Sequence, residues 1–193
     1  SIMLPRAGVA AERIQEVIGT RSSITDAEQL ADDEMGDIRG ELAFHNVSFA
    51  YPNAKDNVLD GLDFEAEPGK TTAIIGSTGC GKSTLLNLIP RLYDVTEGSI
   101  TLDGVDIRTI SQKKLRDAIG YVPQKAVLFS GDIRSNIKYA DETISDDRME
   151  EAAAIAQATE FVEEKKKKYD SHIAQGGSNV SGGQKQRLSI ARA

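Results

Sequence analysis

Gly76-Ser77-Thr78-Gly79-Cys80-Gly81-Lys82-Ser83 fits the pattern Gly-x-x-x-x-Gly-Lys-Ser/Thr, and it lies where a strand should hand over to a helix. Before it, Thr71-Thr72-Ala73-Ile74-Ile75 is a short β-branched run; after it, Leu85, Leu86, Leu88, Ile89 and Leu92 recur at helical spacing. In that context the glycine-rich run reads as a phosphate cradle. Glycines let successive backbone N–H groups turn inward onto an anion, and the positive end of the following helix reinforces them. Lys82 would bridge the β- and γ-phosphates of a nucleotide, and the Ser83 hydroxyl would ligate Mg²⁺.

Composition narrows what such a cradle can belong to. At 193 residues, with 39% hydrophobic and 27% charged residues, the chain suits one good-sized α/β domain with an appendage. Lys and Arg total 23 against 30 Asp and Glu, a net charge of −7, which excludes a broad electrostatic footprint for nucleic acid. A polyanionic ligand must then be caught locally. The single cysteine, Cys80, allows no internal disulfide and suits a reducing compartment. Its place in the cradle reads as a small residue at a variable loop position rather than a nucleophile. No stretch approaches the roughly 18 to 20 apolar residues that span a bilayer, and no signal peptide is visible.

Outward from the cradle, Leu42–Phe49 and Leu62–Ala66 alternate like half-buried strands, and Pro68-Gly69-Lys70 turns the chain toward Thr71. Gly98–Leu102 is another short strand, ended by the turn Asp103-Gly104, and Ile119–Val122 follows, leaving Gln124 beyond Pro123 at its carboxyl edge. Toward the N-terminus, Ala10, Ile14, Val17 and Ile18 place an amphipathic helix over residues 5–19, expected to pack on something. Thr20–Gly40 is polar and without period, and reads as a linker. From Asp132 to Tyr169 the period is helical, with Ser145, Asp146 and Asp147 as caps for Met149–Ala158 and a second helix over Glu160–Lys167. Lys165–Lys168, straight after Glu163 and Glu164, reads as a solvated helix end.

Asn179-Val180-Ser181-Gly182-Gly183-Gln184-Lys185-Gln186-Arg187 combines a flexible loop with a helix start; taken alone it is a serine-capped helix preceded by a loop. Ser181 is not set up as a nucleophile, since the flanking pattern is not Gly-x-Ser-x-Gly. Taken with the cradle, this segment resembles the signature sequence of ATP-binding cassette (ABC) ATPases. The resemblance covers Glu41–Ala193 and rests on four elements in family order: Tyr51 in Phe49-Ala50-Tyr51-Pro52, the cradle, Gln124 in Tyr121-Val122-Pro123-Gln124, and Ser181-Gly182-Gly183-Gln184. Alone, Tyr51 reads as a packing aromatic and Gln124 as a solvated loop amide.

The resemblance implies an α/β fold, a P-loop NTPase core with an antiparallel β subdomain and an α-helical subdomain at about 132–180. It assigns Gly76, Ser77, Thr78, Gly79, Cys80, Gly81, Lys82, Ser83 and Thr84 to ATP, with Ser83 and Gln124 on Mg²⁺ and Tyr51 stacked on the adenine. Gln124 would also reach the attacking water. Ser181, Gly182, Gly183 and Gln184 would serve the γ-phosphate held by a second subunit, so that two nucleotide-binding domains, as homo- or heterodimer, make two sites head to tail. Lys82, Gln124, Ser181 and Gly183 then carry the catalytic roles. Val127–Ile137 and Ile173–Gly177 look like exporter segments, and residues 1–40 look like the cytoplasmic tail of a membrane domain. A transmembrane domain is the implied partner, and the cytoplasmic face of the cell membrane the implied location. Val180 departs from the usual leucine, and Gln175-Gly176 from the common Glu-Arg.

The family also uses an apolar strand ending in Asp-Glu, followed by a switch histidine. Neither is found. Ile100-Thr101-Leu102-Asp103 is the nearest imitation, but it precedes the signature and Gly104 replaces the glutamate; His45 and His172 also fall too early and read as surface residues. The chain, stopping at Arg192-Ala193 in mid-helix, is expected to be a truncated domain that binds ATP without turning it over. A soluble ABC ATPase without a transport role, or a degenerate regulatory cassette, would share these motifs.

Overall fold

The structure is a computed structural model that describes residues 3–193, with side chains from Gly8 onward. It divides into two compact units, Ser1–Ala118 and Ile119–Ala193.

In the first unit, β1 (Leu42–Phe49) lies at the centre of an antiparallel sheet between β2 (Leu59–Ala66) and β3 (Glu97–Leu102), with β4 (Val105–Asp106) on the outer side of β3. Phe44, Val47 and Phe49 are buried, and Phe44 stacks on Phe64 of β2 at 4.3 Å. The alternation breaks at Asn46, whose φ of 47° marks a bulge, and the pairing with both neighbours shifts register there. Gly98 faces the bulge. A Cβ on it would fall 2.3 Å from the His45 and Asn46 carbonyl oxygens, so the bulge demands a glycine on β3.

β3 and β4 are joined by the predicted Asp103-Gly104 turn, with φ values of 51° and 84°. Asp103 also does something the turn alone does not require: its carboxylate accepts from the backbone N–H groups of Arg39, Gly40 and Glu41 at 2.8, 3.3 and 2.9 Å. Thr20–Gly40, the segment read as a linker, is accordingly docked as a strap. Asp26 accepts from the N–H of Gln112 (2.9 Å), and Asp32 accepts from the N–H and hydroxyl of Ser111 (both 2.7 Å), at the start of α3 (Gln112–Asp117). Ala31 donates to the Thr109 carbonyl at 2.9 Å. The buried Arg91, ion-paired with Asp94 at 2.6 Å, donates to the Thr25 carbonyl at 3.0 Å.

Two carboxyls of this system titrate low. The Ser111 backbone and hydroxyl donors hold Asp32 below its ordinary value; burial pushes Asp103 up, but its three backbone donors prevail and hold it down. Depressed folded values mean that the fastening is at full strength above the ordinary carboxylate range and is lost as pH falls through the lowered values. At neutral pH, Asp103→Ala should speed hydrogen exchange at the amides of residues 39–41 about tenfold, with Phe44 and Val47 unchanged. Unchanged exchange at those three amides would show that the strap is held elsewhere.

The predicted N-terminal helix is present as α1 (Met3–Gly19), but Val9, Ile14, Val17 and Ile18 are all more than half exposed, so the described residues do not cover its apolar face. Among the described residues no helix is long and apolar enough to cross a membrane. The helix after the cradle, α2 (Lys82–Leu88), is shorter than its apolar period suggests. Ile89 keeps helical angles, but Pro90 has no N–H to continue the helix and is followed by Arg91 at φ 54°, which leaves Leu92 exposed beyond the end.

Thr71–Ile75 lies in no ladder. A strand exists by exchanging hydrogen bonds with a neighbour about 4.8 Å away, and none of the described strands supplies one here. Ile75 is 91% exposed, and Ile74 and Ile75 with Leu62, Phe64 and Leu85 line an open groove of about 410 Å³. Ile119–Val122, in the second unit, is likewise extended sequence without a ladder.

The second unit is mainly helical. A two-strand ribbon of β5 (Gly131–Asp132) and β6 (His172–Ile173) accompanies α4 (Ile133–Ile137), α5 (Asp146–Ile155), α6 (Thr159–Glu163) and α7 (Gly182–Arg192). Ile133, Met149, Val162, Ile173 and Leu188 are buried in one core. Ser145 caps α5 as predicted, accepting from the Arg148 N–H. α6 stops at Glu163, four residues before the predicted end, and Lys168 pairs with Glu163 at 2.6 Å.

Candidate functional site

The cradle is built on left-handed glycines. Gly79 and Gly81 have φ values of 85° and 94°, a region where a side chain costs roughly 1–2 kcal/mol. At Gly81 space adds to the demand, since a Cβ would sit 2.8 Å from Leu59 Cδ2; at Gly79 nothing lies within 4 Å. A Cβ at Gly76 would come 2.5 Å from Cys80 Sγ. Cys80 is thus packed across the loop from Gly76, consistent with its reading as a small structural residue.

Lys82 opens α2 and folds back over the loop. Its ammonium donates to the carbonyl oxygens of Gly76 (2.8 Å) and Ser77 (2.7 Å) and lies 3.6 Å from Cys80 Sγ. The positive charge is therefore held at the loop by its own backbone, where a phosphate would meet it. Ser83 and Thr84 follow on α2, and Thr84 is buried.

Tyr51 is brought to the same place. Its phenolic oxygen and the Thr84 hydroxyl form a 2.9 Å hydrogen bond, in which either can donate. Its half-buried ring stands near-perpendicular to Phe49 (5.0 Å, 81°) and Tyr93 (5.3 Å, 89°). Tyr51, Thr84, Lys82 and the loop thus form one connected group in the first unit. Sequence reasoning did not single out Tyr93, which carries no pattern of its own.

The other candidate residues lie in the second unit. Gln124 is exposed on an irregular segment. Ser181 and Gln184 form the reciprocal cap of α7: the serine hydroxyl accepts from the Gln184 backbone N–H at 3.2 Å, and the Gln184 side-chain oxygen Oε1 accepts from the Ser181 N–H at 3.0 Å. Gly182 and Gly183 are the first two helical residues, with open space at both Cβ positions. The loop before them is shaped by Asn179, whose side chain accepts from the Ala174 N–H (2.9 Å) and donates to the His172 carbonyl (2.7 Å).

At the far end of α7, Arg192 donates to the carbonyl of Asn136 (2.8 Å), to Asn136 Oδ1 (2.9 Å) and to the carbonyl of Val127 (3.0 Å). Its guanidinium also lies 5.2 and 5.6 Å from the stacked rings of Phe129 and Tyr139. Burial lowers its pKa, yet a guanidinium stays charged at any working pH. Asn136, only 1% exposed, bonds both the N–H and the carbonyl of Phe129 at 2.8 and 2.9 Å. One arginine and one asparagine thus fasten Val127–Phe129 to α7, and neither was singled out in the sequence.

Comparison with known proteins identifies the family and the fold. The family model described as ABC transporter matches residues 59–193. An uncharacterized ABC transporter ATP-binding protein of Mycobacterium tuberculosis is 44% identical over 194 residues, covering 99% of this chain and 33% of that protein. A beta-(1→2)glucan export ATP-binding/permease protein of Brucella suis is 41% identical over 160 residues, 83% of this chain and 26% of that protein. The chain therefore spans about a third or less of the length of these relatives. Among solved structures, a bacterial Atm1-family ABC exporter with ATP bound superposes with a TM-score of 0.89 at 36% identity, over 97% of this chain and 32% of that one. The mixed α/β fold is that of a P-loop ABC ATPase, and the chain belongs to the ABC transporter family.

Proposed function

We propose that these residues are the ATP-binding part of an exporter that hydrolyses Mg·ATP to move a substrate across a membrane. The observation that carries the reading is the Gly76–Ser83 loop, with two left-handed glycines, the Lys82 ammonium held over it, and Tyr51 tied to it through Thr84. Backbone N–H groups of the loop and Lys82 bind the β- and γ-phosphates, and Tyr51 offers its ring to the adenine. The Ser83 hydroxyl, at the start of α2 beside the loop, is an oxygen donor of the hard type that Mg²⁺ takes, so the cradle fits that ion, and the Gln124 amide oxygen is a donor of the same type. When bound, Mg²⁺ neutralises charge on the phosphate oxygens.

Ser181 and Gly183 serve the γ-phosphate of a second chain, so that a head-to-tail pair of nucleotide-binding domains forms two sites. The short, preformed cap of α7, which orients the Ser181 hydroxyl and leaves the glycine surface open, supports this role. Residues 1–40 lead from a transmembrane domain of the same transporter, and the cassette works at the cytoplasmic face. The resemblance of Val127–Ile137 to exporter segments and the glucan-export relative support that direction.

The 193 residues hold no apolar strand ending in Asp-Glu and thus no glutamate placed as base. The expected result is that the 193-residue chain binds Mg·ATP, that tripolyphosphate competes and AMP does not, and that no sustained phosphate release occurs. Equal competition by AMP would overturn the assignment of the cradle. Sustained Mg²⁺-dependent release from pure material would overturn the reading that the base lies outside these residues.

A further inference from the structure

We propose that Tyr93 and Thr84 are positioning residues that fix the Tyr51 ring as a base platform and lock it to the phosphate cradle. The inference rests on the reading of Tyr51 as the group that stacks on the base.

Tyr51 begins an exposed turn, with Pro52–Asn57 on the surface and the Ala54 N–H bonded to the Tyr51 carbonyl at 2.9 Å. A ring at such a place would ordinarily sample several rotamers, and ordering it on binding would subtract from affinity. Here it is ordered beforehand from three sides. Phe49 and Tyr93 stand near-perpendicular to it, at 5.0 and 5.3 Å, and are themselves in contact at 5.6 Å. The Thr84 hydroxyl sets its far end at 2.9 Å. Among the described residues no ring is stacked parallel on Tyr51, and the two near-perpendicular contacts restrict how its ring can turn.

The supports are themselves rigid. Tyr93 lies between Arg91, buried and held at φ 54°, and Asp94, joined to Arg91 by a 2.6 Å ion pair. Thr84 is buried in α2, two residues after Lys82. The distance from base platform to the Lys82 charge is therefore built into the fold, and a ligand carrying both a base and a triphosphate at that spacing gains both contributions without ordering the site. The platform reads the presence of a base more than its identity, because every base has a π-face.

The test uses the full-length protein and calorimetric titration with ATP, GTP and tripolyphosphate in Mg²⁺. Tyr93→Leu should weaken ATP and GTP roughly three- to tenfold and leave tripolyphosphate binding unchanged, which also shows that the variant is folded. Tyr93→Phe, which keeps the ring, should restore ATP binding to within about twofold. Tyr51→Phe, which keeps the stacking face but loses the bond to Thr84, should weaken ATP about threefold. Equal losses for ATP and tripolyphosphate in Tyr93→Leu would reduce Tyr93 to a structural role and overturn the inference. Full ATP affinity in Tyr93→Leu, with a loss in Tyr51→Ala, would overturn the inference and leave the platform standing. Full ATP affinity in Tyr51→Ala would overturn both.

Discussion

Lys82→Ala should weaken Mg·ATP binding on the order of a hundredfold, and tripolyphosphate equally. The size follows from removing charge-assisted hydrogen bonds to phosphate, worth about 1.5–3 kcal/mol. Position adds to it. In the absence of this side chain the carbonyls of Gly76 and Ser77, which take its ammonium at 2.8 and 2.7 Å, lose the brace that draws the loop together. Both carbonyls are in an exposed setting and regain water, so thermal stability should change little. Binding lost with melting unchanged is the signature expected, and unchanged titration by ATP would remove the cradle assignment altogether. The parallel loss of tripolyphosphate separates this variant from those at Tyr51 and Tyr93, which should spare it.

Arg192→Ala should destabilise the helical unit by roughly 3 kcal/mol, the largest stability effect expected of a single side chain outside the apolar core. Three acceptors, the carbonyls of Asn136 and Val127 and the Asn136 amide oxygen, lose their donor together, and the stacked Phe129 and Tyr139 rings lose the cation beside them. Asn136 is nearly inaccessible to solvent, so water replaces the arginine poorly there. Arg192→Lys should recover little, because one ammonium cannot reproduce a planar fork that serves two backbone carbonyls and an amide. Urea denaturation followed by helical circular dichroism measures the loss; a change under 1 kcal/mol would show that Val127–Phe129 is held by the apolar core alone.

Local chemistry was readable in the sequence, and long-range pairing was not. The Ser181–Gln184 cap, the Ser145 cap and the Asp103-Gly104 turn each depend on residues within about four positions of one another, the cradle on one run of eight, Gly76–Ser83, and each is present as a local structure. Thr71–Ile75 had the composition of a strand, but a strand is a relation between segments, and no described strand pairs with it. α2 kept an apolar period past its end because Leu92 still occupies a helical phase, whereas Pro90 stops the backbone. The docking of Thr20–Gly40 leaves no local signal, because most of its fastenings are single carboxylates meeting backbone N–H groups 62 to 86 residues away. Asn136 carried a faint signal, an amide between Ile133 and Ile137; Arg192 carried none, since its partners are mostly carbonyl oxygens, which every residue has.

The fastening of Thr20–Gly40 changes the mechanics of what precedes it. A free segment of 21 residues could let α1 wander roughly 70 Å from the sheet. The first fastening point is the Thr25 carbonyl on Arg91, so the slack is five residues, a reach of about 17 Å. α1 is leashed short. Any displacement imposed on that helix exhausts its slack early and arrives as tension on Arg91 and the start of α3, instead of being absorbed by loose chain.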